Sequence, residues 1–122
     1  MSRDISHDII IKTKEDYNVA YNGGPMTEAM YYILLALLRP NHGYQLMQSV
    51  NEVSNGRLEM GPGTLYGILS RMEEKELIVL IEQEGKKKTY KLTEVGRDAL
   101  KEEFNRLNAM VEDTVRLLEE EK

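Results

Sequence analysis

The chain has 122 residues, 41% hydrophobic and 30% charged, with a formal net charge of −5, which is the balance of one soluble domain rather than of a disordered or membrane-embedded segment. Its lack of cysteine excludes disulfides and thiolate metal sites. The longest apolar run, Ala29–Leu38, is far shorter than the roughly 20 residues that cross a bilayer.

Residues 1–25 read as an arm. Met1-Ser2-Arg3-Asp4 is not followed by a continuous apolar stretch, so we expect no signal peptide and a cytoplasmic protein. Ile5, Ile9, Ile10 and Ile11 suit a helical turn or a short strand, and Asn22-Gly23-Gly24-Pro25 is a strong break. Thr27 to Leu38 predicts a helix, with Thr27 as cap and Glu28 in the first turn. Met30, Ile33, Leu34, Leu37 and Leu38 form one face, and Tyr31, Tyr32 and Leu35 make the other side apolar too, the pattern of a helix enclosed by neighbours. Asn41-His42-Gly43 reads as a turn. Gly43 to Val53 is a second helix with Leu46, Met47, Val50 and Val53 inward, ended by Asn55-Gly56.

Gly61-Pro62-Gly63 opens a third helix that runs to about Lys75, since proline suits a first helical position. Leu65, Ile68, Leu69 and Met72 are its inner face. The period then changes. Leu77 to Glu82 reads as a strand, Glu84-Gly85 as a hairpin turn and Thr89 to Leu92 as the returning strand. Thr93 caps a last helix that continues to about Glu120, a rod of roughly 40 Å. The fold class is therefore mainly α with a small β-hairpin: a winged helix-turn-helix over residues 26–93 and a long C-terminal dimerisation helix over residues 94–122.

The third helix is the candidate reader of double-stranded DNA. With its apolar face inward, Gly63, Thr64, Tyr66, Gly67, Ser70 and Arg71 face out. The small residues let the backbone approach a groove wall. Thr64, Tyr66, Ser70 and Arg71 offer donors to phosphates or base edges. The alternatives are a half-buried Tyr66 and an Arg71 paired with Glu74. Acidic charge concentrates in residues 94–122, which carry nine acidic and five basic groups. Residues 26–93 carry eight of each, and Lys86, Lys87, Lys88 and Lys91 are clustered. Alone, that run is better read as a solvated turn. At the tip of a hairpin that follows a helix-turn-helix, it suits phosphate or minor-groove contact.

The three motifs together are similar to those of PadR-type transcriptional regulators. The resemblance rests on Thr27-Glu28 with Tyr32 to Leu38 and His42-Gly43-Tyr44. It continues through Gly61 to Leu69 with Arg71-Met72-Glu73 and Leu77-Ile78, and then Lys87 to Gly96. It covers about residues 26 to 118. It implies a dimeric repressor on a palindromic operator, released in many members by a small-molecule effector. The single terminal helix resembles that of the smaller subfamily. The resemblance implies operator contacts from Thr64, Tyr66 and Ser70, and phosphate contacts from Lys87 and Lys88 with Lys86 and Tyr90. It also implies that His42 and Tyr44 either touch the DNA backbone or fix the turn. Residues 1–25 have no counterpart in it.

Leu100, Phe104, Leu107, Val111, Thr114 and Leu118 step by four and three along the last helix, a heptad seam that a partner copy would cover. A core helix within one chain is the alternative. Two-fold pairing would set two reading helices about 34 Å apart. Some PadR-like proteins stack flat aromatic drugs on a terminal-helix tryptophan. This chain has no Trp and carries Leu107 there, so any effector pocket would be smaller and lined by Phe104, Leu107 and Met110. His7 and His42 lie apart, and Gly61-Pro62-Gly63 lacks a phosphate-loop lysine. We therefore expect no catalysis, cofactor or metal. A winged-helix module that binds protein instead of DNA is the competing reading, favoured by the acidic total.

Overall fold

A computed structural model describes residues 26–122; the arm expected over residues 1–25 lies outside them. Thr27 caps the first helix, Glu28–Ala36 (α1), by accepting the Met30 N–H at 3.2 Å, as expected from its place before Glu28. Ile33, Leu34 and Leu37 are buried, but Leu38, expected on the same face, is largely exposed. The helix has already ended at its C-cap, Leu37, so helical spacing no longer aims the next side chain inward.

Asn41–His42, expected as a bare turn, is a short strand (β1) paired with a later strand through Asn41↔Tyr90 and His42↔Thr89. Neither residue favours β structure on its own; the pairing is imposed from nearly fifty residues away. The second helix, Gly43–Val53 (α2), buries Leu46 and Val50, while Val53 in its last turn faces out. Asn55 (φ 56°) and Gly56 (φ 79°) take the left-handed backbone. The Gly56 N–H then reaches the Asn51 carbonyl at 2.8 Å and satisfies an acceptor left over at the helix end.

Proline at its first position starts the third helix, Pro62–Glu74 (α3), which buries Leu65, Ile68, Leu69 and Met72 as the spacing predicts. Its exit repeats the same device. Glu76 takes φ 60°, Glu76 N–H donates to the Glu73 carbonyl at 3.0 Å and Leu77 N–H to that of Met72 at 2.9 Å. Leu77 and Met72 are both fully buried, which supplies the apolar contact that usually accompanies this motif.

The strands Ile78–Glu84 (β2) and Lys87–Leu92 (β3) are joined through Gly85 at φ 59°, and the sheet order is β1-β3-β2. The hairpin reaches further than the β-forming residues suggest, because Glu84 and Lys87 pair across it with opposite charge. An irregularity between Leu80 and Glu82 leaves Ile81 outward-facing.

The last helix, Glu94–Glu120 (α4), is capped by Thr93, whose hydroxyl accepts the Gly96 N–H at 3.0 Å. Ala99 and Leu100 join the same core as α1, α2, α3 and the sheet. Glu103 is also buried, where it receives the Arg106 guanidinium and, at 3.3 Å, the Met26 N–H.

One contact locks α4 to the rest. Thr93 N–H donates to the Leu77 carbonyl at 3.1 Å, and the Thr93 hydroxyl donates to that of Glu76 at 2.6 Å. Gly96 lies directly against the same Leu77 carbonyl, and a Cβ there would come within 2.9 Å of the carbonyl carbon. Gly96→Ala should therefore lower stability by about 1–3 kcal/mol, the range for forcing an extra methyl group into a well-packed interior. Gly63, with nothing within 4 Å of its missing Cβ, is the control: Gly63→Ala should leave stability unchanged or raise it by less than about 1 kcal/mol. Urea midpoints measured side by side check both.

Candidate nucleic-acid interface

Burying Leu65, Ile68, Leu69 and Met72 turns the other side of α3 to solvent. Gly63, Thr64, Ser70 and Arg71 are exposed, Tyr66 is 45% exposed and Gly67 is half-buried. Arg71 forms no ion pair with Glu74 among the described residues. Its guanidinium instead runs back beside Gly67, with Nη1 3.8 Å from the place a Cβ would occupy. That is the direction helical side chains prefer.

Tyr66 is the point at which three elements meet. Its phenol lies over Gly43, the first residue of α2. It is also close enough to Tyr90 of β3 to influence that side chain's ionisation. The start of α2 is thereby drawn to the same region. His42 is half-buried beside it and makes no side-chain cap to α2, while Tyr44 is 67% exposed. The α2 N-terminus adds a partial positive charge there.

The hairpin carries the cations. Lys86, Lys87 and Lys88 are all exposed, as is Lys91 further down β3. Among the described residues none of the first three forms an ion pair. Tyr90 departs from the expected set. Side chains alternate along β3, and Tyr90 shares the inward face with Leu92, leaving it only 5% exposed. It is a core residue and not a phosphate contact. Burial raises the Tyr90 pKa above its usual value near 10, and the neighbouring Glu73 and Tyr66 add to the rise.

Along α4 the expected seam divides. Leu100 is buried in the core, and Phe104 and Leu107 are half-buried. Beyond them Met110, Val111, Val115, Leu117 and Leu118 are exposed, Val111 and Leu118 at 58% each. Met110 also accepts a hydrogen bond from the Arg106 guanidinium through its Sδ at 3.2 Å. Phe104, Leu107 and Met110 thus follow one another along the helix where it leaves the core. Two features are hidden from a linear reading: the seat of Tyr66 on Gly43, and the pairing of β1 that brings His42 to β3. Both join residues distant in sequence, and only the small residue between His42 and Tyr44 hints at the first.

No cluster of metal-ligating side chains occurs among the described residues, and none of their helices is long and apolar enough to cross a membrane.

A family model, the transcriptional regulator PadR-like family, matches residues 33–102. Among curated relatives, an uncharacterised 37.1 kDa transposon protein of Streptomyces fradiae is 40% identical over 62% of this chain and 22% of its own length. The transcriptional regulator YqjI of Escherichia coli is 33% identical over 62% of this chain and 36% of its own. The chain thus spans only about a fifth to a third of the curated relatives it matches. A crystal structure of a PadR family transcription regulator from Clostridium difficile is similar with a TM-score of 0.59 and 26% identity, covering 72% of this chain and 97% of that one.

The buried phenol of Tyr90 gives a pH signature. Because its folded pKa is raised, the stability it contributes is fully present below about pH 10 and is lost as pH rises through the folded value. Urea midpoints should fall above pH 10, and Tyr90→Phe should make that fall shallower. Tyr31, whose pKa burial also raises, accounts for part of the remainder.

Proposed function

This chain belongs to the PadR-like family of transcriptional regulators, which are not enzymes, and on that premise we propose that it binds a palindromic operator as a homodimer and represses transcription. One observation carries the reading: the outward face of α3 meets the start of α2 where the Tyr66 phenol lies over Gly43, and β1, immediately before Gly43, pairs with the strand that bears Lys87 and Lys88. In it, Thr64, Tyr66, Ser70 and Arg71 face the major groove, where side chains read base edges. His42 and Tyr44 lie at the adjoining phosphates. Lys86, Lys87 and Lys88 hold the backbone on the far side of α3. The net negative charge of the chain does not oppose this, because nine of its acidic groups lie in residues 94–122, beyond the wing in sequence.

The dimer reading rests on the exposed end of α4. Val111 and Leu118 lie uncovered at seam positions, with Val115 exposed beside them, and a second copy of the same helix is their simplest cover. Residues 26–93 would then be the reading unit and residues 94–122 the pairing rod, joined through the buried first turns of α4. A small apolar effector would enter where Phe104, Leu107 and Met110 leave the core, and would act by changing the spacing of the two readers.

Two measurements test these roles. Replacing Lys86, Lys87 and Lys88 with alanine should weaken binding to all duplexes. It should also flatten the dependence of log affinity on log salt by about 0.9 for each phosphate that the wing no longer neutralises. An unchanged slope would remove the wing from the interface. Val111→Glu with Leu118→Glu should give a folded monomer by sedimentation and circular dichroism, with operator affinity reduced by a factor of roughly a thousand or more, the lower end of the gap that separates specific from non-specific binding. A wild-type protein that is monomeric at micromolar concentration yet binds its operator fully would refute the pairing.

A further inference from the structure

Resting on the DNA-binding reading, we infer that Gly43 is a positioning residue for operator readout: its missing side chain is the seat that holds the Tyr66 phenol in one orientation before DNA arrives. Gly43 is buried at the first position of α2. A Cβ built on it would lie 2.8 Å from Tyr66 Cζ and 3.2 Å from Cε1, with the phenol oxygen nearer still. The three nearest atoms all belong to that one side chain. The hydroxyl end of the ring therefore rests against the start of α2 instead of projecting freely from α3. The side chain remains 45% exposed.

Three features separate this seat from ordinary packing. First, helix propensity alone favours alanine over glycine, so the glycine is costly unless its lack of a Cβ is used. Gly43 is also not at positive φ, so no turn geometry demands it. Second, the obstructing atoms are the far end of a side chain that can rotate. A methyl group at position 43 would thus displace Tyr66 rather than unfold the protein. At Gly96 the obstruction is the Leu77 backbone, which cannot swing aside. Third, the seat lies between two other candidate contacts. His42 and Tyr44 flank Gly43 in sequence, and Tyr90 of β3, near Tyr66, continues the strand that bears Lys88 and Lys87. His42 pairs with Thr89 of β3, so the seat lies where the start of α2 meets the wing strand, and Gly43 holds Tyr66 there. An aromatic side chain fixed in this way need not lose rotamer freedom when DNA binds.

The test is a mutant cycle on the full-length protein, using Gly43→Ala, Tyr66→Leu and the double variant. Operator affinity, non-specific duplex affinity and thermal midpoint are measured for each. We expect Gly43→Ala to remain folded and to lose about tenfold in operator affinity, the scale of one misplaced base contact, with non-specific affinity changed much less. In the Tyr66→Leu background the same glycine substitution should change neither operator affinity nor the thermal midpoint adversely, since the seat is then empty of the phenol. Wild-type protein should also show nuclear Overhauser contacts between the Gly43 α-protons and the Tyr66 ring, absent in Gly43→Ala. Equal losses from Gly43→Ala in both backgrounds, or no loss in either, would overturn the inference. Failure of the wild type to bind any duplex would instead count against the DNA-binding reading, while the thermal cycle and the Overhauser contacts would still decide whether Gly43 seats Tyr66.

Discussion

The Leu77 carbonyl is the constraint on which this architecture turns. It receives the Thr93 N–H, and Gly96 lies against it with no side chain to hold it away. Leu77 is also where α3 ends and β2 is about to begin, and Thr93 is where β3 ends and α4 begins. Four elements therefore meet at one peptide group. The contacts are backbone to backbone, or through one short hydroxyl, so they carry little of the slack that long side chains would allow. The orientation of α4 relative to α3 is fixed there, before apolar packing by Ala99 and Leu100 adds its energy.

What can be read from the chain itself follows the range of the interaction. Thr27, Thr93 and Pro62 announce three helix starts, because a cap or a first-position proline acts within one turn. Asn55-Gly56 marks a helix end for the same reason. The equivalent end at Glu76 gives no signal, since glutamate rarely takes a left-handed backbone; there, buried Leu77 and Met72 impose the conformation. β1 is invisible because its partner lies far along the chain. The hairpin is longer than its residues suggest because glutamate and lysine are weak strand formers taken singly, and their pairing across the ladder does not show in a one-strand reading. Tyr90 is the avoidable error: two-residue alternation from Leu92 already places it inside. Of the site, the exposed face of α3 and the lysines are legible, while the Gly43 seat is not.

Charge is arranged with the same economy. The wing is basic only locally, since Glu82 and Glu84 stand on the strand opposite Thr89 and Lys87. A hairpin tuned in this way would hold a polyanion less tightly than an all-lysine tip, and with fewer phosphates neutralised its grip would depend less steeply on ionic strength. Where α4 crosses α1, Glu103, the one buried acid among the described residues, is matched by Arg106, whose pKa that hydrogen bond raises.

The long C-terminal helix is embedded at one end and overhangs at the other. Mechanically it is a crank, with its bearing at the Leu77 carbonyl and its handle in the uncovered stretch beyond Arg106. A torque applied at the handle would be passed to the end of α3 with little loss, because the bearing has no soft side chains to absorb it. Stiffening or shortening that overhang would then alter how α3 is held without changing a single residue of α3 itself.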